Sequence, residues 1–178
     1  MIAVFLANGF EEIEALATVD ILRRAHLDVK TIGVGASVVV GAHDIAVTAD
    51  LAEQDLSLEN IEAVILPGGM PGTLNLEKSD VVQAAVSYAM EHNLPVAAIC
   101  AAPLILGHGG YLQGKKATCY PGFESELCGA TLCDGVVTDG NIITACGAGV
   151  AVDFALELVR LLVSAEEADS IRRGIQCR

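Results

Sequence analysis

Tryptophan is absent from this 178-residue chain, and aromatic residues make up only 4% of it. A buried core must therefore be built from aliphatic residues and alanine, which suits the hydrophobic content of 53%. Basic residues are also scarce, since 10 lysines and arginines stand against 23 aspartates and glutamates for a formal net charge of −13. This excess of negative charge argues against nucleic acid or an anionic membrane surface as a partner.

Segments for membrane insertion or export are lacking as well. The longest apolar run covers residues 96–106, contains Pro103, and is shorter than the roughly 18 residues of a membrane-spanning helix. The N-terminus has no basic region and reaches Glu11 and Glu12 too early for a signal peptide. We therefore expect a cytoplasmic location.

Motifs for cofactors and metals are also missing. No glycine run matches a dinucleotide fingerprint or a P-loop. The six cysteines, at positions 100, 119, 128, 133, 146 and 177, form no Cys-x-x-Cys pair and no zinc-type Cys/His spacing. In a reducing compartment we expect free thiols, and all except Cys100 are expected as small buried apolar residues. We expect no cofactor and no metal.

Short apolar segments alternate with amphipathic ones along the chain. Strands are predicted at 2–6, 29–34, 63–66, 96–99, 117–119, 136–138 and 142–144, a hairpin at 38–48, and helices at 13–25, 80–91, 150–163 and 165–175. This alternation predicts one α/β domain over residues 1–178, with a mostly parallel sheet covered on both faces. Because sites in such folds lie at the carboxyl ends of strands, Gly68-Gly69, Cys100 and Cys146 are expected in one cleft.

Residues 95–106, Pro-Val-Ala-Ala-Ile-Cys-Ala-Ala-Pro-Leu-Ile-Leu, contain the most informative pattern. A strand runs directly into Cys100, and the small residues Ala98 and Ala102 lie two positions on either side of it. This is the steric pattern of a nucleophile elbow with cysteine as the nucleophile. Pro103 suits the first turn of the helix that follows. A thiol facing the positive end of that helix predicts a stabilised, reactive thiolate.

Two further features point to the same site. On its helix, Glu14 shares a face with uncharged neighbours such as Ala17 and Thr18, so its pKa is expected to rise through poor solvation. The alternative for Glu14 is an acid that stabilises the helix dipole. The Gly68-Gly69 pair follows a strand, and its N–H groups could form an oxyanion hole, although an ordinary turn would have the same sequence. None of the four histidines is recognisable as a base for Cys100.

Four segments together resemble the DJ-1/ThiJ/PfpI superfamily and, within it, the DJ-1/ThiJ branch. They are residues 8–14 (Asn-Gly-Phe-Glu-Glu-Ile-Glu), 66–69 (Leu-Pro-Gly-Gly), 97–103 (Ala-Ala-Ile-Cys-Ala-Ala-Pro) and 144–155, with its Gly-x-Gly and Asp-Phe-Ala. The resemblance implies a flavodoxin-like three-layer sandwich and an obligate homodimer. It also implies that Cys100 is the reactive cysteine, that a protonated Glu14 hydrogen-bonds its sulfur, and that Gly69 places an N–H beside it.

Three positions depart from the family's pattern. Tyr120-Pro121 stands where many relatives carry a histidine before proline, and a phenol with a pKa of about 10 is a poor base near neutral pH. Ala101 follows the cysteine where the protease-like branch has a histidine, which weakens a peptidase assignment. Cys146 stands where relatives usually lack sulfur. Tyr120 and Cys146 are therefore candidate neighbours of the cleft, and Cys146 is a candidate resolving thiol.

The sequence leaves three functions open. The first is a cofactor-free glyoxalase or deglycase acting on a small reactive carbonyl, methylglyoxal or its adducts, with Cys100 as nucleophile, Glu14 as proton shuttle, and the Gly69 and Ala101 N–H groups as oxyanion donors. The second is a redox-sensing stress protein or chaperone in which Cys100 becomes a sulfinate. The third, ranked last, is a thiol peptidase or amidohydrolase.

The helix at 13–25 bears on the oligomeric state. Val19 and Leu22 face away from Ile13 and Leu16, so the helix is apolar on more than one side. A homodimer interface would explain this pattern, and so would burial within one chain.

Overall fold

The computed structural model describes residues 1–177. The strands are β1 (Ile2–Leu6), β2 (Val29–Gly33), β3 (Val38–Val40), β4 (Ala46–Thr48), β5 (Leu51–Ala52), β6 (Ala63–Leu66), β7 (Val96–Ile99), β8 (Lys116–Ala117), β9 (Thr131–Leu132), β10 (Val136–Asp139) and β11 (Ile142–Ala145). The α-helices are α1 (Glu12–Arg24), α2 (Gly72–Glu77), α3 (Asp80–Glu91), α4 (Pro103–His108), α5 (Ala151–Leu162) and α6 (Ala165–Gly174).

Seven of the strands form the central sheet, in the order β10-β11-β7-β6-β1-β2-β5. Neighbouring strands are parallel except for β10 and β11. Strands β1, β6 and β7 are buried along their whole length, as expected where helices cover both faces of a sheet. One apolar core lies between the sheet and α1 and α5, and the other lies on the face of α3 and α4. The expected α/β sandwich is therefore present.

The order of the sheet brings three chain segments to the same edge. Strand β7 pairs in parallel with both β6 and β11, so the carboxyl ends of these three strands lie side by side. Gly68 follows β6, Cys100 follows β7 and Cys146 follows β11. The loop before α1 reaches this edge too, because the Glu11 N–H donates to the Gly68 carbonyl at 2.9 Å.

Helix α1 begins one residue earlier than the hydrophobic pattern predicts. Glu11 is its N-cap, and the Glu11 carboxylate accepts the Glu14 N–H at 2.7 Å. Val19 and Leu22 are buried within this one chain, at 7% and 0% exposure. Burial within one chain therefore explains why Val19 and Leu22 are apolar, and these two residues need no dimer interface.

Elements that the sequence pattern did not predict are short. They are β5, β9 and α2, which have two, two and six residues. Strands of two residues show no alternation that a sequence could reveal. Within residues 1–177, no helix is both long and apolar enough to cross a membrane.

Candidate active site around Cys100

Cys100 occupies the turn between β7 and α4 with a backbone φ of 65°. This left-handed conformation is unfavourable for a residue with a side chain and persists where neighbours enforce it. The Cys100 N–H donates to the Ala145 carbonyl at 2.8 Å, and the Cys100 carbonyl accepts the Tyr120 N–H at 2.7 Å. Pro103 starts α4 directly behind the turn. The backbone is that of a nucleophile elbow, held from both sides.

Glu14 lies against the elbow from the first turn of α1. The residue is 1% exposed, and its Oε2 accepts the Gly68 N–H at 2.8 Å. Burial raises the pKa of Glu14 from 4.5 to about 7, although hydrogen bonds from the Cys100 thiol and the Gly68 N–H oppose the rise. The carboxyl is thus positioned to hold a proton near neutral pH, next to the sulfur.

Because Gly68 has no side chain, Glu14 and Cys100 have room to contact each other beside it. A Cβ at this position would lie 2.6 Å from the Cys100 Cβ and 2.7 Å from Glu14 Oε2. Gly69 follows with a φ of 91°, and its N–H, together with that of Ala101, bonds to the Cys100 sulfur and lowers the pKa of the thiol. These two N–H groups form the candidate oxyanion hole.

The helix dipole predicts a lowered pKa for the Cys100 thiol, but the pKa is raised. Burial, followed by the charge of Glu14, raises it to about 12. The direction differs from the expected thiolate stabilisation because desolvation and Glu14 outweigh the Gly69 and Ala101 N–H groups, which lower the pKa.

Glu14 and Cys100 are best described as one titrating pair. Once one group is charged, it opposes the ionisation of the other. Loss of the first proton, at a pKa of about 7, leaves Glu14 as the carboxylate and Cys100 as the thiol. A thiolate forms when the remaining proton passes from the sulfur to the carboxylate along their hydrogen bond, so Glu14 is protonated whenever Cys100 is the thiolate.

Tyr120 and Cys146 lie in different relations to the elbow. Tyr120 touches Cys100 through its backbone, while its side chain is 50% exposed. Cys146 lines a neighbouring cavity together with Cys119. The Cys100 side chain packs against the core beside α1, whereas Cys119 belongs to the opposite core. The approach of Cys146 to the Cys100 side chain, and its role as a resolving thiol, stay predictions.

Within residues 1–177, no histidine hydrogen-bonds to Cys100. The His108 ring lies between two carboxylates, with Nδ1 2.5 Å from Glu77 Oε1 and Nε2 2.8 Å from Glu126 Oε2. His43 Nδ1 lies 2.8 Å from Glu12 Oε2. The site thus lacks the imidazole base of a papain-like enzyme.

One group of side chains in the described part of the chain has the spacing of metal ligands. Ligand atoms of Glu11, Glu12 and His43 lie within 4.8 Å of one another. Hydrogen bonds already account for this arrangement. Glu12 Oε1 accepts the His43 backbone N–H, Glu12 Oε2 pairs with His43 Nδ1, and Glu11 caps α1.

Fold and site together define an α/β protein in which a buried glutamate and a glycine loop surround a cysteine at a nucleophile elbow. The chain belongs to the DJ-1/PfpI family, whose model matches residues 1–161. The family resemblance and the flavodoxin-like fold are thus confirmed.

Relatives and a solved structure agree with this assignment. The chain is 33% identical over 176 residues to protein dj-1beta of Drosophila melanogaster, covering 97% of this chain and 94% of that protein. It is 36% identical over 171 residues to protein DJ-1 homolog A of Arabidopsis thaliana, covering 93% of this chain but 44% of that protein. The chain thus spans less than half of the Arabidopsis relative. Toxoplasma gondii DJ-1, oxidized, superposes with a TM-score of 0.94 at 32% identity, covering 98% of this chain and 97% of that one.

Proposed function

We propose that this protein is a cofactor-free, cysteine-dependent glyoxalase or deglycase that converts methylglyoxal, or its adducts with amines and thiols, to lactate. The observation that carries the proposal is the buried carboxyl of Glu14, with a pKa of about 7, in hydrogen-bond contact with Cys100. The reaction needs a nucleophile and one group that moves protons near neutral pH, and this pair supplies both.

The first step is addition of the thiolate to the aldehyde. In the monoanion, the Cys100 sulfur attacks the aldehyde carbon, a C–S bond forms, and the carbonyl electron pair moves onto oxygen. The Gly69 and Ala101 N–H groups stabilise that oxyanion until it takes the proton from Glu14. The product is a hemithioacetal, and Glu14 is left as a carboxylate.

The second step moves a proton between adjacent carbons. The Glu14 carboxylate removes the proton from the hemithioacetal carbon, and the electron pair moves onto the neighbouring carbonyl oxygen to give an enediolate. That oxygen takes the proton of the hemithioacetal hydroxyl, and Glu14 returns its proton to the neighbouring carbon, which leaves a hydroxyl there and a thioester carbonyl at the first carbon. One carbon is oxidised and its neighbour reduced within the same molecule, so no electrons enter from outside. The resulting thioester is hydrolysed to lactate and the Cys100 thiol is restored.

Lactate formation in thiol-free and amine-free buffer tests this proposal. We expect Cys100→Ala to abolish the enzymatic rate and Glu14→Gln to lower kcat by about 100-fold or more, as loss of a general acid-base group does. The matched control is Cys128→Ala, which removes an exposed thiol and should leave the rate unchanged. A Glu14→Gln enzyme with the wild-type rate would overturn the mechanism.

A redox-sensing function is the second candidate, and the half-buried position of Cys100 beside the Glu14 carboxyl supports it. A protonated Glu14 can donate a hydrogen bond to a sulfinate and so favour that oxidation state. Limited peroxide followed by peptide mass spectrometry should then place two oxygens on Cys100 before the exposed Cys128 is oxidised. Equal oxidation of both cysteines would contradict this function. The third candidate, a peptidase or amidohydrolase, lacks a histidine at the site and is not proposed.

We also propose that the protein is a homodimer. Ile13 of α1 is 58% exposed, and Val38 and Ile45 of the adjoining hairpin are each 51% exposed. The hairpin is held against the loop before α1, because the Gly9 N–H donates to the Val40 carbonyl at 2.8 Å. Helix and hairpin thus present an apolar surface, and a second copy of the chain would cover it. The cytoplasmic location stays a prediction.

A further inference from the structure

A cavity of about 390 Å³ lies at the same end of the sheet as Cys100. The residues that line it include three cysteines, Cys119, Cys133 and Cys146, and two acidic residues, Glu124 and Asp134. Cys100 is not among the residues that line it. Cysteines outside the elbow are expected as small buried apolar residues, and Cys119 fits this expectation, whereas Cys133 and Cys146 are only half-buried.

Three separate segments of backbone bring these thiols together. The Cys133 N–H donates to the Ala117 carbonyl at 2.9 Å, which extends the β8–β9 pair and places Cys133 next to the segment of Cys119. The Cys146 N–H donates to the Gly135 carbonyl at 3.0 Å, which joins the end of β11 to the loop after Cys133. The cavity wall is therefore fixed by main-chain hydrogen bonds.

The three thiols differ in their freedom to react. Cys119 is 6% exposed, and burial next to Glu124 raises the pKa of its thiol to about 11. The Cys133 sulfur donates to the Thr131 carbonyl at 3.8 Å. Cys133 and Cys146 are both half-buried, but within residues 1–177 the Cys146 sulfur makes no side-chain hydrogen bond. Cys146 is thus the less constrained of the two half-buried thiols and the candidate nucleophile of the cavity.

The charge of the cavity selects among thiol-reactive molecules. Glu124 and Asp134 contribute carboxylates, and no lysine, arginine or histidine of the described residues lines the walls. A ligand with an ammonium group is attracted to such a cavity, and a ligand with a carboxylate is repelled. The volume fits a small organic molecule.

We propose that this cavity is a second thiol site, at which Cys146 forms a mixed disulfide with a small amine-bearing disulfide. The Cys146 thiolate attacks one sulfur of the disulfide, a new S–S bond forms, and the original S–S bond breaks. The departing thiolate leaves with the electron pair and takes up a proton equivalent to the one that Cys146 lost. The site is independent of the chemistry proposed for Cys100.

The test compares two reagents in Cys100→Ala protein, so that the elbow cysteine does not compete. Cystamine is the cationic disulfide and glutathione disulfide is the anionic one. Peptide mass spectrometry measures the initial rate of adduct formation at Cys146 relative to the exposed Cys128, which serves as an internal reference in each reaction. The reference corrects for reagent reactivity and for the negative charge of the whole chain.

We expect the Cys146-to-Cys128 ratio to be about tenfold higher with cystamine, the effect of roughly one charge pair near a protein surface. Glu124→Gln with Asp134→Asn should remove this preference, and Cys133→Ser should preserve it. Equal ratios for the two reagents would overturn the proposal. So would adducts on Cys133 in place of Cys146, or a preference that survives the loss of both carboxylates.

Discussion

The buried carboxyl of Glu14 makes the stability of the protein depend on pH in an unusual direction. Its pKa is about 7 in the folded state, against 4.5 for an unperturbed carboxyl. The folded protein therefore keeps a proton that the unfolded chain releases between these values. This contribution to stability is complete below pH 4.5 and is lost as the pH rises through about 7. The difference between the two pKa values corresponds to about 3 kcal/mol.

Glu14→Gln tests this linkage because the amide keeps the shape of the side chain, can still accept the Gly68 N–H, and does not titrate. The free energy of unfolding, measured by urea denaturation, should fall with pH more steeply in the wild type than in the variant. Between pH 5.5 and pH 8, the difference between them should shift by about 2 kcal/mol in favour of the variant. This range avoids the sequence pI of about 4.5, where solubility is lowest.

Glu59→Gln is the matched control, since it removes the same charge from an exposed position. Its difference from the wild type should stay constant over the same range. A pH-independent difference for Glu14→Gln would refute the reasoning, because Glu14 would then titrate alike in the folded and unfolded chains. A shift in favour of the wild type would mean that the site lowers the pKa of Glu14.

Three further predictions concern the loop, the helix behind the elbow and the apolar surface. Gly68→Ala should lower the free energy of unfolding by about 1–3 kcal/mol through overpacking and should abolish lactate formation, because the alanine Cβ would displace Cys100. Urea denaturation and the lactate assay measure these effects, and full activity would contradict the prediction. His108→Gln should destabilise the protein more at pH 6 than at pH 9, as measured by urea denaturation. The Glu126 and Glu77 carboxylates raise the pKa of His108, and the stabilisation from the charged ring is lost as the pH rises through that raised pKa. An equal loss of stability at both pH values would contradict this prediction. Ile13→Glu should convert a dimer to a monomer in sedimentation velocity, and a wild-type monomer would contradict the proposed interface.

Local patterns predicted most of the fold. The strand into Cys100, the proline behind it and the small residues around it each indicate the elbow, and the φ of 65° at Cys100 agrees with them. Ser79 directly precedes the predicted helix at 80–91, where serine is a favoured cap, and its hydroxyl accepts the Val82 N–H at 3.3 Å. These signals lie within a few residues of one another, so no tertiary information is needed.

The contacts that complete the site are long-range, and the sequence could not supply them. Glu14 and Gly68 are 54 residues apart, and their hydrogen bond depends on β1 lying beside β6 in the sheet. The direction of the Cys100 pKa depends on desolvation and on Glu14, whereas the sequence showed only the helix behind the thiol. Likewise, the sequence places Cys146 after β11, at the carboxyl end of the strand, but does not show which residues share a cavity with it.

The most direct test of the paired site is the pH dependence of kcat/KM for lactate formation from methylglyoxal, after subtraction of the Cys100→Ala rate. If the monoanion of Glu14 and Cys100 is the active form, kcat/KM should rise through an apparent pKa of about 7 and then level off. A profile that is flat from pH 5.5 to pH 8, or no Cys100-dependent lactate at any pH, would contradict the account.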